Sequence, residues 1–119
     1  MIRLSDSEWK IISCLWNNGS MTLMELTKEL NNETGWSKNT IITMLKRMIE
    51  KNAVRFVQEG RTKRFFPSVD RAEAEMEETE SFLDKVYSGN VGLMISNLIR
   101  SDKLTKEEIN ELLSILEER

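Results

Sequence analysis

The hydrophobic period of this chain changes at residues 52–53, and that change limits the folds open to it. Before it, apolar residues recur at helical intervals. After it, "AVRFVQ" (53–58) and "RTKRFFPSV" (61–69) are rich in β-branched and aromatic residues, with Glu59-Gly60 as the turn between them. That is the pattern of a β-hairpin. Phe65 and Phe66 break its strict alternation, and Pro67 either ends the pairing or sits on an edge. From Asp70 the helical period returns.

The segment ahead of the hairpin announces its own helices. Ser5-Asp6-Ser7-Glu8 and Thr22-Leu23-Met24-Glu25 read as capping boxes, as does Thr105-Lys106-Glu107-Glu108 near the end of the chain. After Ser5, the apolar set Trp9, Ile12, Leu15 and Trp16 predicts a helix ending near Asn17-Asn18-Gly19. After Thr22, Leu23, Leu26 and Leu30 predict a second, stopping at Asn31-Asn32. Ser37 caps a third, which runs to about Lys51-Asn52. Residues 1–69 therefore read helix–helix–helix–hairpin, the order of a winged helix-turn-helix. The fold class expected is mostly α with a small β-hairpin wing.

The third helix, within "GWSKNTIITMLKRM" (35–48), carries Ile41, Leu45 and Met48 on its apolar face. Its other face carries Asn39, Thr40, Thr43 and Arg47, although threonine is a poor helix former. Placed in a DNA major groove, such a face is explicable. Threonine meets base edges or thymine methyls, asparagine pairs with adenine, and arginine reaches guanine or phosphate. Lys38 at the helix start and Lys46 are placed for phosphates. Arg61, Lys63 and Arg64 flank the hairpin turn and can touch backbone or minor groove.

The charge distribution supports a polyanionic partner despite a net charge of −3. Residues 1–69 carry 11 Lys/Arg against 7 Asp/Glu, whereas residues 70–119 carry 6 against 13. Between Trp36 and Phe66 there are 8 basic and 2 acidic residues, and this local patch is the relevant footprint. With no histidine, no nucleophile motif and no phosphate-binding glycine loop, an enzyme is not expected, nor is a cofactor or metal. The single Cys14, among Ile11, Ile12 and Leu15, reads as a small buried hydrophobe in a reducing compartment. No apolar run approaches a membrane span and no signal peptide is evident, so a cytoplasmic protein without membrane insertion is expected.

Residues 70–119 are acidic and helical. "DRAEAEMEETESFLDKVY" places Ala72, Met76, Thr79, Leu83 and Val86 on a narrow stripe. A break at Ser88-Gly89-Asn90 precedes the short helix "VGLMISNLIR", and a final helix after Thr105 aligns Ile109, Leu112, Leu113 and Leu116. Three short helices enclose little core alone, so their stripes need a partner. A second copy of the chain would give a two-fold dimer presenting two recognition helices to two half-sites. Met94, Leu98, Ile109, Leu112, Leu113 and Leu116 are the expected dimerisation residues, and packing against the chain's own winged helix is the competing arrangement. The predicted domains are 1–69, a winged-helix DNA-binding domain, and 70–119, a helical dimerisation region.

With those residues in view, the chain resembles the penicillinase and methicillin-resistance repressors, the BlaI/MecI type. The resemblance rests on "LSDSEWKIISCLW", "GWSKNTIITMLKRMIEKNAV", "EGRTKRFFPSV" and "SFLDKVYSGNV", followed by "LTKEEINELLSILEE". It implies a dimeric repressor of β-lactam resistance-type genes, bound to double-stranded DNA at a two-fold symmetric operator. It further implies a sensor-linked protease that cuts the repressor in its dimerisation region. The family's cut falls at an Asn-Phe bond, and the matching bond here is Asn97-Leu98. Two departures stand out: Lys38-Asn39-Thr40 replaces the family's Pro-Lys-Thr, and Leu98 replaces phenylalanine. The related copper-responsive repressors carry a Cys-x-Cys site that a chain with only Cys14 cannot form. A family member controlling other genes, or a winged-helix protein-interaction adaptor, are the alternatives; the adaptor would tolerate loss of Thr40, Thr43 and Arg47.

Overall fold

A computed structural model of the protein describes residues 2–118. The element order is α1 (Asp6–Asn18), β1 (Met21–Thr22), α2 (Leu23–Thr34), α3 (Lys38–Glu50), β2 (Val54–Glu59), β3 (Thr62–Pro67), α4 (Arg71–Tyr87), α5 (Val91–Arg100) and α6 (Lys106–Glu117). The chain divides into two compact units, Met1–Met76 and Glu77–Arg119.

In the first unit the three expected helices form where their caps place them. The Ser5 and Thr22 side chains each accept from the backbone N–H three residues on, and Glu8 and Glu25 return the bond. Such a cap is worth about 1 kcal/mol over alanine. The second helix runs beyond the expected stop at Asn31-Asn32, to Thr34. The asparagines are not the terminator; Gly35 is, because it takes the left-handed conformation (φ 68°) and donates its N–H to Asn31 O at 2.9 Å. The connection to α3 is thus only Gly35-Trp36-Ser37, a tight helix–turn–helix.

The hairpin forms as expected, but its two-residue turn is Gly60-Arg61, one place later than the sequence suggested. Glu59 pairs with Thr62, so Glu59 is still strand. Gly60, at φ 59°, supplies the left-handed first position that two-residue hairpins of type II′ favour. The sheet has a third strand that no sequence pattern announces: β1 pairs antiparallel with β3, Met21 opposite Phe65 and Thr22 opposite Arg64. Two residues are too short for periodicity to reveal, and Thr22 is at once strand residue and helix cap. Pro67 ends β3 opposite Val54, beyond the stretch that β1 pairs.

One core unites these elements. Ile11, Ile12 and Leu15 of α1 meet Leu26 and Leu30 of α2, Ile41, Met44, Leu45 and Met48 of α3, and Val54 and Phe65 of the sheet. Cys14 is part of it, and burial first, then Glu29 and Glu33, pushes its thiol pKa up, as suits a packed hydrophobe. The first turn of α4 belongs to this unit. Trp16 Nε1 donates to Val69 O at 3.1 Å, and the Arg71 guanidinium bonds Asn17 Oδ1 at 3.0 Å. The division between units therefore falls inside α4 and not at the change of composition at Asp70.

The second unit is built of the remainder of α4 with α5 and α6. Phe82 and Tyr87 pack edge to face at 6.0 Å, and Asn90 caps α5 through Leu93 N–H. None of the three helices contributes a buried residue. No helix among the described residues is long and apolar enough to cross a membrane.

Candidate nucleic-acid interface

The register of α3 is fixed from inside. Ile41, Met44, Leu45 and Met48 are buried, so Lys38, Asn39, Thr40, Thr43, Lys46 and Arg47 are held outward and exposed. Asn39, Thr43 and Arg47 follow one another at four-residue steps and share a face. Lys38 is the first helical residue, at the positive end of the helix dipole. The Thr43 hydroxyl donates to Asn39 O at 3.0 Å. Its proton is thereby engaged, leaving a methyl group and acceptor lone pairs facing out. Thr40 is turned toward the cap, its hydroxyl 3.0 Å from Ser37 Oγ. Among the described residues, Lys38, Lys46, Arg47 and Arg61 have no acidic partner.

On the hairpin, the alternation of the pleat sorts the cations. Lys63 shares a face with Phe56 and Phe65, and its ammonium lies 4.5 Å from the centre of the Phe56 ring. Arg64 falls on the other face and is committed elsewhere. Its Nε donates to Glu59 Oε1 at 3.1 Å, and its Nη1 lies 3.3 Å from Ser20 Oγ and 3.6 Å from Glu25 Oε1. The geometry brings eight of the nine expected DNA contacts to the α3 face and the wing. The ninth, Arg64, it uses to tie the wing to Ser20, just ahead of β1, and to Glu25 of α2. Sequence marks Glu25 only as the glutamate of a capping box and does not mark Ser20, since only the β1–β3 register brings them near residue 64.

Between α3, the inner face of the hairpin and the start of α2 lies an open cleft of ≈ 480 Å³. Ile42 and Met24, which line it, were also passed over in the sequence, because each reads as an ordinary member of its helix.

In the second unit, Asn97 and Leu98 are exposed on α5, with Asn97 Nδ2 3.4 Å from Tyr87 Oη. Of the expected dimerisation residues, Met94 and Ile109 are half-buried, whereas Leu98, Leu112, Leu113 and Leu116 are exposed.

A helix–turn–helix whose second helix faces outward, followed by a hairpin paired to a short third strand, defines a winged-helix protein. Residues 4–118 match the penicillinase repressor family, and the chain belongs to that family. It is 38% identical to the penicillinase repressor of Bacillus licheniformis over 116 residues, 98% of this chain and 91% of that one. It is 22% identical to the methicillin resistance regulatory protein MecI of Staphylococcus aureus, covering 98% and 94%. Its fold matches the solution structure of the B. licheniformis BlaI monomeric form in complex with the blaP half-operator, with a TM-score of 0.54 and 35% identity over 60% of this chain and 88% of that one.

Proposed function

We propose that this chain is a DNA-binding transcriptional repressor of resistance-type genes that grips a two-fold symmetric operator as a homodimer. The outward face of α3 carries this reading: Asn39, Thr43 and Arg47 in one row, beside cations with no acidic partner among the described residues. A helix built only to be soluble would neutralise those charges with neighbouring glutamates. The relative solved with a half-operator supports the DNA-binding half of the proposal. The unburied apolar faces of α5 and α6 support the dimeric half.

Within the interface, roles follow from position. Arg47 and Thr43 read bases, while Lys38, Lys46, Arg61 and Lys63 meet phosphates. Arg47→Ala is expected to cost roughly 1–3 kcal/mol and to relax specificity at one operator position. Thr43→Ser keeps the hydroxyl bonded to Asn39 O and removes only the methyl. Selective loss for sites with thymine at that position would identify a methyl contact, and unchanged binding would assign the lone pairs instead. Lys63→Ala is expected to weaken all duplexes alike and lower the salt slope by about one. Titrations of the chain against its own promoter region and a scrambled duplex, at two salt concentrations, check these assignments. Equal weak binding to both duplexes, with no effect of Arg47→Ala, would favour the adaptor reading.

Inactivation is proposed to occur by cleavage of Asn97-Leu98. The bond lies within the ten residues of α5, a helix with no buried side chain, where local unwinding is inexpensive. A cut there would separate α6 from α4 and weaken the dimer, and DNA affinity would fall because two half-sites no longer act together.

A further inference from the structure

We propose that the cleft between α3, the hairpin and the start of α2 is a binding site for a small amphipathic anion, one with an apolar body and a carboxylate-type head group. Its volume of ≈ 480 Å³ lies inside the range of about 300–1,000 Å³ typical of small-molecule sites. Leu23, Met24, Ile42, Ile49, Phe56 and Phe65 contribute its apolar lining. Met24 is 74% exposed and Phe56 41%, so large apolar side chains lie open to water beside it. Covering them with an apolar ligand is favourable.

Charge decides what kind of ligand that is. Lys38, Lys46, Arg61 and Lys63 line the same cleft, and no Asp or Glu does. A neutral hydrocarbon would gain nothing from four cations, and an inorganic anion would gain nothing from the apolar residues. Only a ligand with both features uses the whole site. Lys63 now rests over the Phe56 ring, and an anionic head group can draw its flexible ammonium away. These four cations are also the proposed phosphate contacts, so an occupied cleft would compete with DNA. That consequence rests on the proposed function; the binding itself does not.

The test titrates decanoate, below its micellar concentration, into the full chain and follows side-chain methyl signals by NMR, with decanol as the uncharged comparison. The expected result is saturable shifts at Leu23, Met24, Ile42 and Ile49. Affinity should fall about tenfold or more for decanol, as for loss of a charge-assisted hydrogen bond. Met24→Glu, a change at an exposed position that should not disturb folding, sets a carboxylate in the cleft and should weaken decanoate more than decanol. Shifts confined to Leu112 and Leu116, equal affinity for decanoate and decanol, or no saturation would overturn the proposal. So would movement of the cleft methyls with protein concentration alone, which would make a second copy the occupant. Saturable cleft shifts without displacement of a bound duplex would support the site and overturn only its link to DNA. A chain that binds decanoate but no operator would show the DNA reading, not the cleft, to be wrong.

Discussion

Replacing Leu112 and Leu116 together with aspartate is expected to leave the first unit folded and to lower affinity for a two-fold operator by about 10²–10⁴-fold. Affinity for an isolated half-site should not change. Helices α4, α5 and α6 enclose no buried residue, and Leu112 and Leu116 are 39% and 60% exposed. Two exposed leucines on α6 would be unremarkable singly; together with Leu113 and Ile115 they form an apolar surface that needs cover. In the proposed dimer a second copy would cover it symmetrically. Carboxylates placed there would set like charges against each other across the axis of that dimer, with no compensating partner. Sedimentation should show a monomer, and titrations against full and half operators should converge on one affinity. A variant that is monomeric yet binds the full operator as tightly as before would contradict the dimeric account.

Glu8→Ala is expected to cost the first unit about 2–3 kcal/mol, part of a total that for a unit of this size is about 4–11 kcal/mol. Glu8 is 1% exposed. Its Oε1 accepts from Ser5 N–H at 2.8 Å and from Lys51 Nζ at 2.6 Å, so the start of α1 is tied to the end of α3. Lys51 Nζ also donates to Arg3 O at 2.7 Å. The ammonium keeps that bond and some contact with water, which holds the cost below that of breaking a fully enclosed pair. Burial pushes the Glu8 pKa up, but the Lys51 hydrogen bond and charge, with the Ser5 N–H, outweigh it and leave the pKa below the usual 4.5. The bound carboxylate therefore stabilises the fold at pH above about 4.5, and that contribution is lost as pH falls through the lowered value. Urea unfolding at pH 7 and pH 3 should show a shallower acid dependence for Glu8→Gln than for the parent. Parallel pH profiles would mean that Lys51 does not hold the carboxylate.

Much of this was legible in the sequence because local signals agreed with one another. Ser5, Thr22 and Thr105 each announced a helix start by hydroxyl and glutamate spacing, and all three caps form. The change of period at residue 53 announced the hairpin. What escaped depends on register or on contacts far apart in the chain. Strand β1 exists only because Met21-Thr22 reaches β3. The different placement of Arg64 follows from the pleat, which composition cannot reveal in a stretch where Phe65 and Phe66 break alternation. Glu8 reads locally as one half of a capping box, and nothing near it in sequence points to the lysine 43 residues away that also binds it. The cleft likewise needs three elements brought together before Met24, Ile42 and Lys63 share one wall.

The most direct test of a two-fold repressor is a hydroxyl-radical footprint of the purified chain on its own promoter region. Two equal protected patches related by a dyad, centred one or more helical turns (about 10–10.5 bp each) apart, are expected to appear together over one concentration range. A single unsymmetric patch, or no protection at concentrations that saturate non-specific DNA, would contradict it.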